Sequence, residues 1–203
     1  VKGYAEQKVL ADQGSLTVRI SEQRPENAEA YKAAEESVQV VKGFLAEALG
    51  EEAEVLDLST SISETKKLNE KGNRTNEIEY YVVSRSLRIN TAKVLELAEL
   101  SRKLYDLNAK GIRLTLNGPD FFVSGLEEVK IDLMQRATGN GRERAEIMAK
   151  SSGEKLGSLV SARQGVIQIT KPNSTRTSSY GIYDTETIEK VVKLVVTLEF
   201  KIG

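Results

Sequence analysis

Apolar and polar residues alternate in two long runs, one near each end of the chain. In the first run the apolar positions are Leu16, Val18 and Ile20, and in the second they are the even-numbered residues of 192–202. A period of two is typical of a β-strand with one buried face. We therefore expect a strand at each place. The first is predicted to pair with residues 8–11 through a turn at 12–14.

Three other stretches repeat their apolar residues every three or four positions, the period of an amphipathic helix. The first covers 27–49 and stops before Gly50, a residue type common just after a helix. The second covers 91–111 and starts at Thr91, which is predicted to cap it. The third covers 126–153. These patterns predict three amphipathic helices.

Shorter alternating runs lie between the helices. Those at 56–62 and 78–89 flank the polar segment NEKGNRTNE, which predicts a hairpin. The apolar phase slips within the second run, so we expect a bulge near 84–86. A strand at 112–118 and a short apolar run at 121–123 precede the third helix.

The order of these elements predicts the fold class. Hairpins and long antiparallel strands with helices on one face indicate an α+β protein of two layers. No linker separates the elements, so we expect one domain over 1–203. Its two intimately packed lobes are predicted at about 1–90 with 185–203, and at 91–184.

Composition excludes several kinds of function. The chain has 29 basic and 30 acidic residues, so no overall positive field favours nucleic acid, and we expect no nucleic-acid partner. It contains no His and no Cys, which excludes imidazole or thiolate metal sites and His-dependent triads. We expect no enzyme activity, no cofactor and no metal. The chain starts at Val1 rather than Met, so we expect that a signal or membrane anchor once preceded it.

Weak motifs for chemistry have simpler explanations. Ser63–Lys66 and Ser152–Lys155 have the S-x-x-K spacing of Ser/Lys acyltransferases, but the accessory motifs of those enzymes are missing. The segment GNGRER at 139–144 lacks the strand that precedes a dinucleotide loop, so close helix packing or a kink is the better interpretation. Its arginines are expected on a solvated helix face. Asp120 and the pair Glu127–Glu128 are more simply explained by the start of a helix than by a cation site.

The segment SARQGVIQI, residues 161–169, begins and ends like a strand but has Arg163, Gln164 and Gly165 in its middle. A bulge at Gly165 explains this break. The alternative is functional: Arg163 and Gln164 present hydrogen-bond donors to an anionic or carbonyl partner. Both interpretations stay open at the level of the sequence.

The polar segment 171–185 carries two aromatic residues, Tyr180 and Tyr183. Loops of this composition are typical of ligand lids and contact surfaces. They are equally typical of a plain connection between two strands. The candidate interaction residues are therefore Arg163, Gln164, Tyr180 and Tyr183.

Several segments resemble the SIMPL-domain family of bacterial exported proteins. They are FFVSGLEEVKIDL, RERAEIMAKSSGEKLGSLVSARQGVIQI, NSTRTSSYGIYDTETIEKVV and VVKLVVTLEFKI. The opening VKGYAEQKVLAD is similar to the family's V-x-G-x-G/A-x-x-x-V-x-A-D pattern, with Val1, Gly3, Ala5, Val9, Ala11 and Asp12 in place. The resemblance implies a two-lobed α+β fold, export to the periplasm or cell envelope, and self-association. Some relatives are described as oxidative-stress defence proteins, and the family has no shared catalytic residues to carry over.

The sequence thus predicts a non-enzymatic structural or interaction protein. It is expected to be exported, to form a homo-oligomer and to have a link to stress defence. The alternative is a small-ligand or envelope-polymer binding module that uses the loop at 171–185.

Overall fold

The computed structural model describes all 203 residues, Val1–Gly203. Its strands are β1 (Lys2–Leu10), β2 (Gln13–Arg24), β3 (Glu54–Leu68), β4 (Arg74–Thr91), β5 (Leu114–Phe122), β6 (Leu156–Gln164), β7 (Gln168–Thr170), β8 (Ile182–Tyr183) and β9 (Glu189–Ile202). Its helices are α1 (Asn27–Leu49), α2 (Val94–Lys103), α3 (Asp106–Ala109) and α4 (Leu126–Ser151). This confirms the predicted α+β class.

The chain divides into two compact units. One consists of residues 1–11 and 122–203, and the other of residues 12–121. The lobes predicted from the sequence, at 1–90 with 185–203 and at 91–184, differ from these two units in their bounds. The intimate packing predicted for the lobes stays a prediction.

The unit formed by residues 12–121 has a four-stranded antiparallel sheet in the order β3-β4-β2-β5. Along the chain its main elements follow as strand, helix, strand, strand, helix, strand, which is the split βαβ arrangement. Helices α1 and α2 both contact β2. Even-numbered β2 residues face them, because Glu22 bonds to Ser37 of α1 and Gly14 lies against Leu97 of α2.

Helix α1 begins at Asn27 and ends at Leu49, as the sequence predicts. Its buried residues recur every three or four positions and fill the space above the sheet: Ala30, Ala34, Ser37, Val38, Val41, Leu45 and Leu49. They pack on fully buried β2 residues such as Leu16 and Val18. The helix stops at Gly50, whose φ of 73° lies in the region that only glycine adopts freely.

The predicted hairpin is present as β3 and β4, but its bulge is in the other strand. Asp57 lies opposite Leu87 and Ser59 opposite Ser86, so the extra residue is Leu58 of β3. Strand β4 pairs with β2 without any interruption. The prediction of a bulge near 84–86 was wrong. The odd-numbered apolar residues Val83, Leu87 and Ile89 are buried, whereas the even-numbered Ile78, Tyr80 and Val82 are exposed or half-buried, so the two sets lie on different faces of one strand.

The second helix is shorter than predicted. It ends at Lys103 as α2, and the single turn α3 follows before Gly111. Thr91 does not cap α2, whose N-cap position is Lys93; instead the Thr91 hydroxyl accepts a hydrogen bond from the Lys93 N–H at 3.1 Å. The two apolar runs after Gly111 belong to one strand, β5.

In the unit formed by 1–11 and 122–203, β9 is the central strand. It pairs with β1 on one side and with β6 and β7 on the other, all antiparallel, and β8 pairs parallel to β7. The predicted hairpin between 8–11 and 15–21 was wrong, because β1 bonds to β9 and β2 bonds to β4. The turn residues at 12–14 connect two different sheets.

Helix α4 packs on this sheet through a buried cluster. The cluster joins Leu133 and Ala137 of the helix to Ala5 of β1 and to apolar residues of β9, including Leu194 and Leu198. The helix continues through Gly139 and Gly141 without a break. Gly141 lies against Gly3 and Leu198, which confirms the interpretation of GNGRER as a site of close helix packing.

Candidate functional site

The segment between β6 and β7 contains the expected bulge. Gln164 lies opposite Val196 and Gln168 opposite Lys193, so three residues on this strand face two on β9. The Gly165 N–H donates to the Val195 carbonyl at 2.8 Å. A β-carbon at Gly165 would lie 2.8 Å from the same carbonyl oxygen, closer than real side chains come. The glycine is therefore required by the close approach of the two backbones.

The bulge forms one wall of a cleft of about 470 Å³, which we call the bulge cleft. Its lining includes Gln164, Tyr180 and Tyr183, which are three of the four candidate interaction residues. Leu126 and Lys130 of α4 contribute on the helix side. The fourth candidate, Arg163, is exposed on β6 but does not line the cleft.

The two tyrosines of the cleft differ in how firmly they are held. Tyr183 accepts a hydrogen bond from the Val123 N–H at 3.4 Å, and its ring lies 6.3 Å from that of Phe122, tilted by 38°. Tyr180 is 96% exposed. An exposed aromatic ring next to a fixed one gives a surface on which an apolar or planar ligand group can lie.

The loop at 171–185 is tied to the sheet by side chains that the sequence patterns did not single out. Gln168 is buried, donates to the Ser178 carbonyl at 2.7 Å and accepts from the Ser178 N–H at 3.2 Å. Lys193 donates to the Ser174 carbonyl at 2.6 Å. These contacts fix the middle of the loop against β7 and β9.

A buried lysine fixes the end of the same loop. The Lys190 side chain is fully buried and its Nζ donates to the carbonyls of Asp184 and Thr187 and to the Asp184 carboxylate, at 2.6, 2.5 and 3.2 Å. Burial raises the pKa of Asp184, but hydrogen bonds from Thr187 and Lys190 outweigh it and lower the pKa below its ordinary value. A signal was present in the sequence, since Lys190 continues the even-numbered buried phase of β9.

A second, smaller cavity of about 230 Å³ adjoins the bulge cleft and shares Ile182 and Tyr183 with it. We call it the polar cavity. Its other lining residues are Thr170, Lys171, Ser174, Arg176, Asp184, Thr185 and Glu186. Sequence reasoning missed it because hydroxyl and charged residues in a loop are the usual composition of exposed chain.

The two S-x-x-K motifs lie outside the structural context that Ser/Lys chemistry needs. Ser63–Lys66 lies within strand β3, and Ser152 follows the end of α4, where its hydroxyl donates to the Ala149 carbonyl at 2.9 Å. Neither serine starts a helix, as Ser/Lys chemistry would need. The arginines of GNGRER lie on an exposed face as predicted, with Arg142 paired to Glu146 at 3.0 Å.

Two sheets with amphipathic helices define an α+β protein, which has a surface cleft at a strand bulge. The family comparison agrees with the resemblance seen in the sequence. The SIMPL family model, described as a protein of unknown function (DUF541), matches residues 1–199, and the chain belongs to this family. No curated protein matches the chain. None of its helices has both the length and the apolar character that crossing a bilayer requires.

Proposed function

We propose that this protein is a non-enzymatic interaction protein of the bacterial periplasm or cell envelope that associates with copies of itself. The observation that carries the proposal is the edge strand β3. It pairs only with β4, is 15 residues long, and exposes Leu56, Leu58 and Ile62 by 39%, 43% and 50%. Edge strands with exposed apolar residues are the usual sites of strand pairing between chains.

The other sheet offers one more open edge, at β6, which pairs only with β9. Strand β1 also pairs only with β9, but side chains of α4 bond to its backbone: the Tyr4 N–H donates to Asn140 at 3.1 Å, and Arg136 donates to the Glu6 carbonyl at 3.0 Å. Leu159 and Val160 of β6 are 49% and 54% exposed. Strand pairing between such edges on two copies of the chain joins them into symmetric dimers or longer assemblies.

Light scattering after size exclusion, over a range from low to high micromolar protein, tests self-association. We expect the mass to rise with concentration, and we expect the double change Leu58→Lys and Ile62→Lys to lower it. Val40→Lys, on the exposed side of α1, is the matched control because Val40 is also 49% exposed. A monomer at every concentration would contradict the proposal.

Export and the link to stress defence are proposed from the resemblance to exported relatives. Fractionation of cells that express the full gene tests the compartment. We expect the protein in the periplasmic or envelope fraction, attached through an N-terminal segment. Recovery with cytoplasmic markers would contradict export. Survival of a deletion strain under peroxide, with and without the restored gene, tests the stress link.

The second candidate function is binding of a small ligand or envelope polymer at the bulge cleft. The specific support is that Gln164, Tyr180 and Tyr183 line one cleft although 15 or more positions separate the glutamine from the tyrosines in the sequence. A thermal-shift screen with envelope polymer fragments tests it. Stabilisation that Tyr180→Ala removes and Tyr105→Ala leaves intact supports binding at the cleft. No stabilisation by any fragment would count against it.

A further inference from the structure

The polar cavity contains the one buried side-chain polar atom of the protein that has no hydrogen-bond partner. Thr170 is 2% exposed, and its Oγ1 neither donates nor accepts a hydrogen bond within the chain. A buried hydroxyl without a partner is unfavourable, and native proteins almost always satisfy such groups with protein atoms, water or a ligand. The cavity beside Thr170 provides the space for a partner.

The charged residues of the polar cavity are also unpaired. Lys171, Arg176 and Glu186 form no salt bridge, although the chain makes many elsewhere. Asp184 is different, because its carboxylate is neutralised by Lys190 at 3.2 Å. The cavity therefore presents two free cations and one free carboxylate.

Two residues of the cavity wall, Ser174 and Asp184, are held in place before any ligand arrives. Ser174 is fixed through its carbonyl by Lys193, and the Asp184 N–H donates to the Ile169 carbonyl at 2.9 Å. The Lys190 bonds fix Asp184 from the other direction. A site that is already ordered binds with a smaller loss of conformational entropy.

We propose that the polar cavity binds a small zwitterion, of the size and charge of a free α-amino acid. Lys171 and Arg176 bind its carboxylate, and Glu186 binds its ammonium group. The Thr170 hydroxyl completes the hydrogen bonds. The volume of about 230 Å³ is below the range of drug-sized pockets and suits a molecule of a few heavy atoms. The proposal goes beyond self-association and does not depend on it.

Nitrogen-15 NMR titration of the full chain tests the proposal, with glycine and L-alanine as zwitterions and with acetate, methylammonium and inorganic phosphate as partial mimics. We expect saturable shifts at the amides of Thr170, Lys171 and Arg176 with the amino acids. Acetate and methylammonium, which each lack one charge, bind more weakly. Arg176→Gln raises the Kd for L-alanine about tenfold or more, because it removes charged hydrogen bonds to the carboxylate.

Two further variants make the test specific. Arg144→Gln changes an exposed arginine of α4 outside the cavity and leaves the Kd unchanged. Thr170→Val removes the hydroxyl with little change of shape, so it weakens binding while keeping the strand. Light scattering on the same samples reports self-association separately, so that failure of one proposal is distinguishable from failure of the other.

Several results would overturn the proposal. They are no shift at these amides with any probe, equal affinity for acetate and L-alanine, binding of phosphate alone, or binding that Arg176→Gln leaves unchanged. If Thr170→Val stabilises the protein and no probe binds, the cavity holds water only, and the proposal fails.

Discussion

Gly3 of β1 and Gly141 of α4 lie so close that a β-carbon built on Gly3 would be 2.7 Å from the Gly141 nitrogen and 2.0 Å from the Ala137 carbonyl oxygen. Neither distance is possible for a real side chain. The helix can lie this close to the strand only because both positions lack a β-carbon. The contact explains why two glycines occur in the core of this unit.

We therefore predict that Gly3→Ala and Gly141→Ala each lower the free energy of unfolding by about 1–3 kcal/mol, since the helix must move away from the strand. Urea unfolding followed by circular dichroism measures this. The control is Gly139→Ala, because nothing lies within 4 Å of a β-carbon there. That change should raise stability by up to about 1 kcal/mol through helix propensity. Equal effects at Gly139 and Gly141 would contradict the packing argument.

The bulge gives a second prediction. Gly165→Ala places a β-carbon against the Val195 carbonyl and should cost about 1–3 kcal/mol. The amide of residue 165 should exchange its hydrogen faster in the variant, because the new β-carbon weakens the hydrogen bond from this amide to the Val195 carbonyl. Gly43→Ala in α1, with open space around it, is the matched control. Unchanged protection at residue 165 would argue against the bulge geometry.

The pair of Asp184 and Lys190 gives a prediction about pH. Asp184→Asn leaves the buried Lys190 ammonium without its counter-charge and should cost about 3 kcal/mol. The folded pKa of Asp184 is lowered, so its contribution is fully present above the ordinary carboxyl range and is lost as the pH falls through the folded pKa. Urea unfolding at neutral and acidic pH measures this. The destabilisation by Asp184→Asn should shrink in acid, and a constant difference would contradict the assignment.

A charge network on α1 and the sheet gives a fourth prediction. Asp57 accepts from Lys42 at 2.8 Å and from Arg85 at 3.2 Å, and hydrogen bonding by Lys42 is the main cause that lowers the pKa of Asp57. Lys42→Met should therefore raise the pKa of Asp57 more than Arg85→Met does. Carboxyl-detected NMR titration measures both.

Glu35 is the control within this network. Hydrogen bonds from Gln39 and then Arg85 lower its pKa. Arg85→Met should raise the pKa of Glu35, while Lys42→Met should change it less. The reverse order at either carboxyl group would contradict the observed contacts.

The anchoring of the loop gives a fifth prediction. Gln168→Met keeps the size of the side chain but removes both bonds to Ser178. Trypsin should then cleave after Arg176 several times faster, because the loop opens more often. Gln39→Met, which removes an exposed bond to Glu35, is the control. Equal cleavage of both variants would show that Gln168 does not hold the loop.

Elements with local signals were predictable from the sequence. Helix α1 and strand β9 follow from periodicity, because each buries one regular face over most of its length. The bulge at Gly165 was predictable because Arg163, Gln164 and Gly165 interrupt a segment that otherwise begins and ends like a strand. Gln164, Tyr180 and Tyr183 could be proposed as interaction residues from their type, but not their convergence on one cleft.

Features that depend on distant partners were not predictable. Strand β1 was paired with β2 in the sequence interpretation because the turn at 12–14 resembles a hairpin, yet its partner β9 is far along the chain. Residues Val1 and Leu198, which bond at 2.8 Å, are 197 positions apart. Thr170 gave no signal either, since a threonine in a strand is ordinary and only the cavity beside it makes its hydroxyl unusual.

The pairing of β1 with β9 joins two segments that lie on either side of the other unit along the chain. Residues 12–121 form one continuous stretch, so that unit can fold without β1 or β9. Strand β1 precedes this stretch and β9 follows it, so β1 gains its native partner only when both are present. Until then the backbone of β1 and the apolar side of α4 are exposed to chaperones and to other unfolded chains. Strand β1 is therefore among the last parts of residues 1–203 to reach its native contacts.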